Sequence, residues 1–171
     1  AAATNTLTAS QASCSSGTKT WAANTKITGN VSVSNTCRVT VEGNVWITGT
    51  LSTSNSSELI VSNTLGTTRP VIMVDGATAN FSNGSTLRSN SQSTGFMIIN
   101  YMSDASCSPD CSDVTGTDLF NSRNDERISL SNSSSGPNTI FYARWTKVRV
   151  NNSGQIGALI GQTVEISNSG T

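Results

Sequence analysis

The sequence predicts an all-β fold: a single-stranded right-handed parallel β-helix, a solenoid of about 20 residues per coil with one disulfide-stapled loop. Three observations predict it. Read in steps of twenty, residues 27–83 align with themselves: Val31, Leu51 and Val71 share a column, as do Val33, Thr53 and Met73, then Val39, Leu59 and Ala79, then Val41, Val61 and Phe81. The polar corners keep the same step, with Asn35, Asn55 and Asp75 in one column and Gly43, Asn63 and Asn83 in another. Between corners, apolar residues alternate with Ser, Thr and Asn, the period-two pattern of a strand with one face on a core.

Composition agrees with that reading. The 171 residues suffice for one domain with a real core. Ten basic and ten acidic residues cancel, so no overall field draws the chain to nucleic acid or anionic lipid. Charged residues make up 12%, about half the usual share. Small polar residues take their place, and apolar residues recurring in strand register argue against disorder. The chain has no histidine, which removes the commonest general base and metal ligand. Its four cysteines, Cys14, Cys37, Cys107 and Cys111, include no CxxC pair. An even number in so polar a chain favours disulfides and export; Cys14–Cys37 and Cys107–Cys111 are the favoured pairs among three pairings.

Taken in order, residues 1–26 form a leading segment that caps the first coil or is donated as a strand, and 27–171 form the repeating domain. The opening AAATNTLTAS is too polar for a signal peptide or a membrane span, so export would rely on a segment preceding it. Trp21 is placed over the open end or at the core periphery. Asn at the corners (Asn35, Asn55, Asn63, Asn83, Asn132, Asn152, Asn168) suits positive φ or a hydrogen-bonded ladder from coil to coil. Arg38 and Glu58, one period apart, are expected to meet on the outer face. FMIINYM at 96–102 reads as a buried strand. A loop insertion at 103–127 holds six of the ten acidic residues and the Cys107–Cys111 staple. From Ile128 the period returns, with Ile128 and Leu130, then Val148 and Val150, then Val164 and Ile166 preceding asparagines.

The acidic loop is the cluster best suited to chemistry. Asp110, Asp113 and Asp118 are hard-oxygen donors of the kind calcium takes, but their spacing matches no EF-hand or nonapeptide repeat, so no cofactor is assigned. Glu42, Glu58 and Glu165 stand apart on the coils, without the carboxylate pair that glycoside hydrolysis needs. No threonine row persists beyond two coils, which disfavours an ice-binding face. Trp46 and Trp145 point outward on the strand pattern and could stack on a sugar or a protein partner, and the acidic loop is a further candidate contact for a glycan.

The closing stretch carries FYA at Phe141, Tyr142 and Ala143 and a Gly-Ala-apolar-Gly turn at Gly157, Ala158 and Gly161. With KITGNVSVSNTCRVTVEGNVWITG and CSPDCSDVTGTDLFNS, it resembles the β-helical ectodomains of bacterial pilin-like cell-surface proteins. The resemblance implies export, surface display and association with type IV pilus-like structures; the apolar pilin helix of those proteins is not in this sequence. The expectation is a non-enzymatic extracellular structural protein that self-associates into a homo-oligomer or filament. An adhesin-like module for a glycan or host surface is the alternative, and a polysaccharide-degrading enzyme the third.

Overall fold

The computed structural model describes residues 3–100, 125–152 and 154–167. The chain begins with β1 (Asn5–Thr8), helix α1 (Ala9–Ala12), β2 (Thr18–Trp21), β3 (Thr25–Thr28) and β4 (Val31–Val33). It continues through β5 (Arg38–Val41), β6 (Val45–Ile47), β7 (Leu51–Thr53) and β8 (Glu58–Val61) to a 3₁₀ turn at Asn63–Leu65. Next come β9 (Val71–Val74), β10 (Ala79–Phe81), β11 (Thr86–Arg88) and β12 (Met97–Asn100). The last strands are β13 (Glu126–Ser131), β14 (Gly136–Asn151) and β15 (Ile156–Ser167).

The β-helix solenoid expected from the period is overturned by how these strands associate. Ten lie on one path, β1-β3-β6-β9-β12-β14-β13-β10-β7-β4, a sheet that bends over as a half-barrel, with β15 paired to β14 as an eleventh strand. Four form a second sheet, β11-β8-β5-β2. The fold is therefore mostly parallel β in two unequal sheets, not a column of equal turns. Helix α1 and the 3₁₀ turn also correct the expectation of strands alone.

The reason is visible in the register. Val31 does pair with Leu51, and Val39 with Leu59, twenty residues on as expected. After Val61 the 3₁₀ turn and the GTTRP stretch add residues before the next strand. Leu51 then pairs with Ala79 instead of Val71, and Thr53 with Phe81 instead of Met73. Leu59 faces Leu87, and Val71 moves to the other leg of the sheet beside Met97.

Pairing is parallel throughout, so residues of like direction line up from strand to strand. One inward column runs Val31, Leu51, Ala79, Ile128 and Val148, all buried. Another runs Val33, Thr53, Phe81, Leu130 and Val150, also buried. Phe81 meets Phe141 from the opposite leg edge-to-face, ring centroids 5.7 Å apart. Such a pair contributes about 0.5–1.5 kcal/mol beyond its buried area.

The leading segment closes the first end of this core. β1 pairs in parallel with β3 of its own chain. Thr8 caps α1 in a reciprocal capping box with Gln11, which satisfies two backbone N–H groups of so short a helix. Ala12 and Trp21 are fully buried, and the Trp21 indole N–H donates to the Ala12 carbonyl at 3.2 Å. The Cys14–Cys37 disulfide is present, with Cα atoms 6.1 Å apart. Cys14 also bridges the backbone of Val33. Cys107, Cys111 and most of the acidic loop lie outside the described residues, and Glu126 and Arg127, placed in that loop by the sequence, already belong to β13.

One bend has no room for side chains. A Cβ on Gly49 would sit 2.4 Å from the Gly29 carbonyl carbon, and a Cβ on Gly76 would sit 2.2 Å from that of Gly49. Gly76 N–H donates to the Gly49 carbonyl at 3.1 Å, so the backbones cannot separate without losing a bond. Gly76→Ala is expected to destabilise the fold by about 1–3 kcal/mol, read as a melting temperature lower by several degrees; an unchanged melting curve would contradict the close approach.

Candidate functional site

Four features of the surface could carry function: an asparagine ladder, a charged cluster on the last strands, an outward apolar row beside a groove, and the open end of the core.

The ladder forms at the bend after β4, β7, β10 and β13. Asn55 donates to Asn35 at 3.0 Å, Asn83 to Asn55 at 3.4 Å, and Asn132 to Asn83 at 3.1 Å. These partners lie 20, 28 and 49 residues apart, which is why one fixed period could not find them all. Each takes positive φ, between 47° and 54°, as does Asn152 at 50°. Asparagine tolerates that geometry better than other side-chain-bearing residues. Asn63 is not part of it: it starts the 3₁₀ turn, and its side-chain Oδ1 accepts from Ser91 N–H at 2.9 Å. Asp75, expected beside Asn55, instead accepts from the Trp46 indole. Asn168 lies outside the described residues.

Four carboxylates of the described surface, Glu58, Asp125, Glu126 and Glu165, meet cations. Glu58 meets Arg38 at 3.0 Å as expected, and also Arg88 from the next strand at 3.2 Å. With Arg38 and Arg88 more than half exposed, each contact contributes about 0–1 kcal/mol. Arg149 joins Glu126 at 3.2 Å and Glu165 at 3.3 Å. Lys147 donates to Glu165 at 2.8 Å. That hydrogen bond and the lysine's charge hold the Glu165 carboxyl below its usual range; partial desolvation opposes them, and Arg149 adds to the lowering. Asp110, Asp113 and Asp118, the calcium candidates, lie outside the described residues. Among the described residues no three His, Cys, Asp or Glu side chains converge to hold a metal.

Trp46 does face outward, half-buried on β6. Lys26 lies over its ring, 4.2 Å from the centroid, worth about 0.5–1 kcal/mol at such a site. The strand register extends this position into a row: Lys26, Trp46, Met73, Ile99, Tyr142 and Ile160. A groove of about 280 Å³ opens beside it, bordered by Asn24, Asn44, Val45, Trp46, Val71 and Met73. Trp145 stands elsewhere, half-buried on β14 where its register shifts, with Arg144 over its ring at 4.2 Å. Met73 and Ile99 are the members of this surface that the sequence reading missed. FMIINYM has apolar residues at both parities, and that unbroken run was the available signal: Ile98 is buried while Met97 and Ile99 face outward.

The open end lies at β15. The column of Val31 ends on Val164, 41% exposed, and the column of Val33 ends on Ile166, 58% exposed. At the opposite end, Val31 and Val33 are themselves 2% and 0% exposed. Both columns are thus covered where they begin and bare where they finish. Among the described residues β15 pairs with β14 alone, so a strand of 12 residues presents an edge that none of them pairs. Sequence reading located Val164 and Ile166 in the pattern, but pattern alone does not tell a last strand from an inner one.

No family model, curated protein or solved structure matches the chain. Among the described residues no helix is long and apolar enough to cross a membrane.

Two outcomes follow from the ladder and the charged cluster. Asn55→Asp keeps the side-chain shape and tolerance of positive φ but cannot donate to Asn35; it is expected to cost about 0.5–1.5 kcal/mol in urea unfolding, and no change would mean the ladder is without energetic weight. Glu165 has a lowered pKa in the fold, so its contribution is present above the unfolded-state value and is lost as pH falls through the folded one. Amide exchange in β14–β15 should therefore rise on acidification below the ordinary carboxylate range, and Glu165→Gln should remove the part of that rise due to this group.

Proposed function

We propose that the chain is a non-enzymatic structural protein of the cell surface that works by associating with its own kind. The observation that carries this reading is the bare end of the core at β15. A strand edge unpaired among the described residues and backed by exposed inward-facing Val164 and Ile166 is a template for another strand. Covering such a side chain fully stabilises by about 1.5–3 kcal/mol. The pairing of Glu58, Glu126 and Glu165 with arginine or lysine supports a structural role for these carboxylates over an acid-base one. The Cys14–Cys37 disulfide fits an oxidising, extracellular setting, as does the resemblance to pilin-like surface proteins.

The groove beside Trp46 favours a second reading, an adhesin-like module that takes a glycan. Its amide side chains Asn24 and Asn44 can hydrogen-bond hydroxyl groups while the indole offers a stacking face.

Sedimentation velocity over a concentration series, with electron microscopy of the same samples, separates the two. Association beyond the monomer is expected; a monomer at all concentrations would defeat the structural reading. Specific glycan binding that Trp46→Ala abolishes would move the assignment to the adhesin.

A further inference from the structure

Resting on the self-association reading, we propose that the contact is tail to tail: β15 of one copy pairs antiparallel with β15 of a second, forming a closed two-fold dimer. Head-to-tail growth would need two open ends. At the first end the apolar core is covered by α1, by buried Ala12 and Trp21 and by the Cys14–Cys37 disulfide, and the edge strand β1 presents exposed polar Asn5, Thr6 and Thr8 instead of bare apolar columns. At the last end none of the described residues pairs the outer edge of β15, and the apolar columns finish on exposed Val164 and Ile166.

The strand is complementary to itself. It follows the two arms of β14: Ala158 to Gly161 lies against one, and Thr163 to Ser167 against the other. A two-fold axis through the bend at Gly161 and Gln162 lays each arm on the opposite arm of the second copy. In that register Leu159 falls opposite Val164 and Gly157 opposite Ile166; Leu159, Val164 and Ile166 continue inward columns. Ile160 falls opposite Thr163 and Ala158 opposite Glu165, all on the outer face. Inward meets inward and outward meets outward, so the pleat of the two strands agrees. Charge agrees as well. Glu165 is the one charged residue of β15, it faces Ala158 rather than its own copy, and Lys147 and Arg149 of its own chain already balance it. The interface is isologous and closes on itself, so it stops at two.

The test uses the whole chain. The wild type is expected to sediment as a dimer, and Val164→Lys with Ile166→Lys to weaken dimerisation by about 100-fold or more. Both side chains are already exposed, so thermal melting should confirm that the variant keeps its fold. Gln162→Cys, oxidised with copper phenanthroline beside a wild-type control, should give a covalent dimer, because the two-fold axis brings residue 162 of both copies together. Assemblies that grow beyond two and leave Gln162→Cys uncrosslinked would overturn the tail-to-tail contact while leaving self-association standing. A monomer throughout would overturn both.

Discussion

Each apolar column in this protein needs a strand on either side, and everything else in the architecture answers to that need. Parallel pairing places Val31 on Leu51, Ala79, Ile128 and Val148, so each buried side chain covers its neighbours above and below. Few side chains in the interior are charged or unmatched, and the surface can then be built from short polar residues. The arrangement leaves the two terminal layers as its weak points. The chain resolves the first with a helix, a tryptophan and a cross-link, and leaves the second as a long bare strand.

The bends show how little freedom the connection between strands has. Where the chain must turn with positive φ, asparagines occupy the position and bond to one another across layers. Where two backbones touch, glycine is required, as at Gly49 and Gly76. Backbone hydrogen bonds set the spacing between layers at about 4.7–4.9 Å, and these two devices let the bends keep to it. The apolar residues fill the space that the spacing leaves.

Much of this was legible in the sequence, and its failures have a common cause. Alternation identified the strands around Val31, Leu51, Val39 and Leu59, and the corner asparagines Asn35, Asn55, Asn83 and Asn132 were found by type. Counting in twenties then failed after Val61, because a 3₁₀ turn and a proline-bearing stretch lengthen the path without changing which residues face inward. Ala79 and Phe81 were therefore assigned to the wrong neighbours, Asn63 to the wrong structure, and the sheets to a uniform coil. Distance along the chain is a poor guide once connections vary, whereas side-chain parity within a strand survives insertion. Parity also placed Trp46 outward correctly. It could not distinguish Met73 and Ile99 from core residues, since an apolar side chain on an outer face looks like any other in a one-dimensional pattern.

Strand β14 is where the two legs of the large sheet meet, bonded to β12 on one and β13 on the other. Remove any other strand on the path and one leg is shortened or interrupted. Remove β14 and the sheet separates into two ladders, with β15 left holding neither. The chain itself also ties the legs together in the short turns from β3 to β4, β6 to β7 and β9 to β10, so what β14 adds is the hydrogen-bonded continuity that makes the two ladders one sheet.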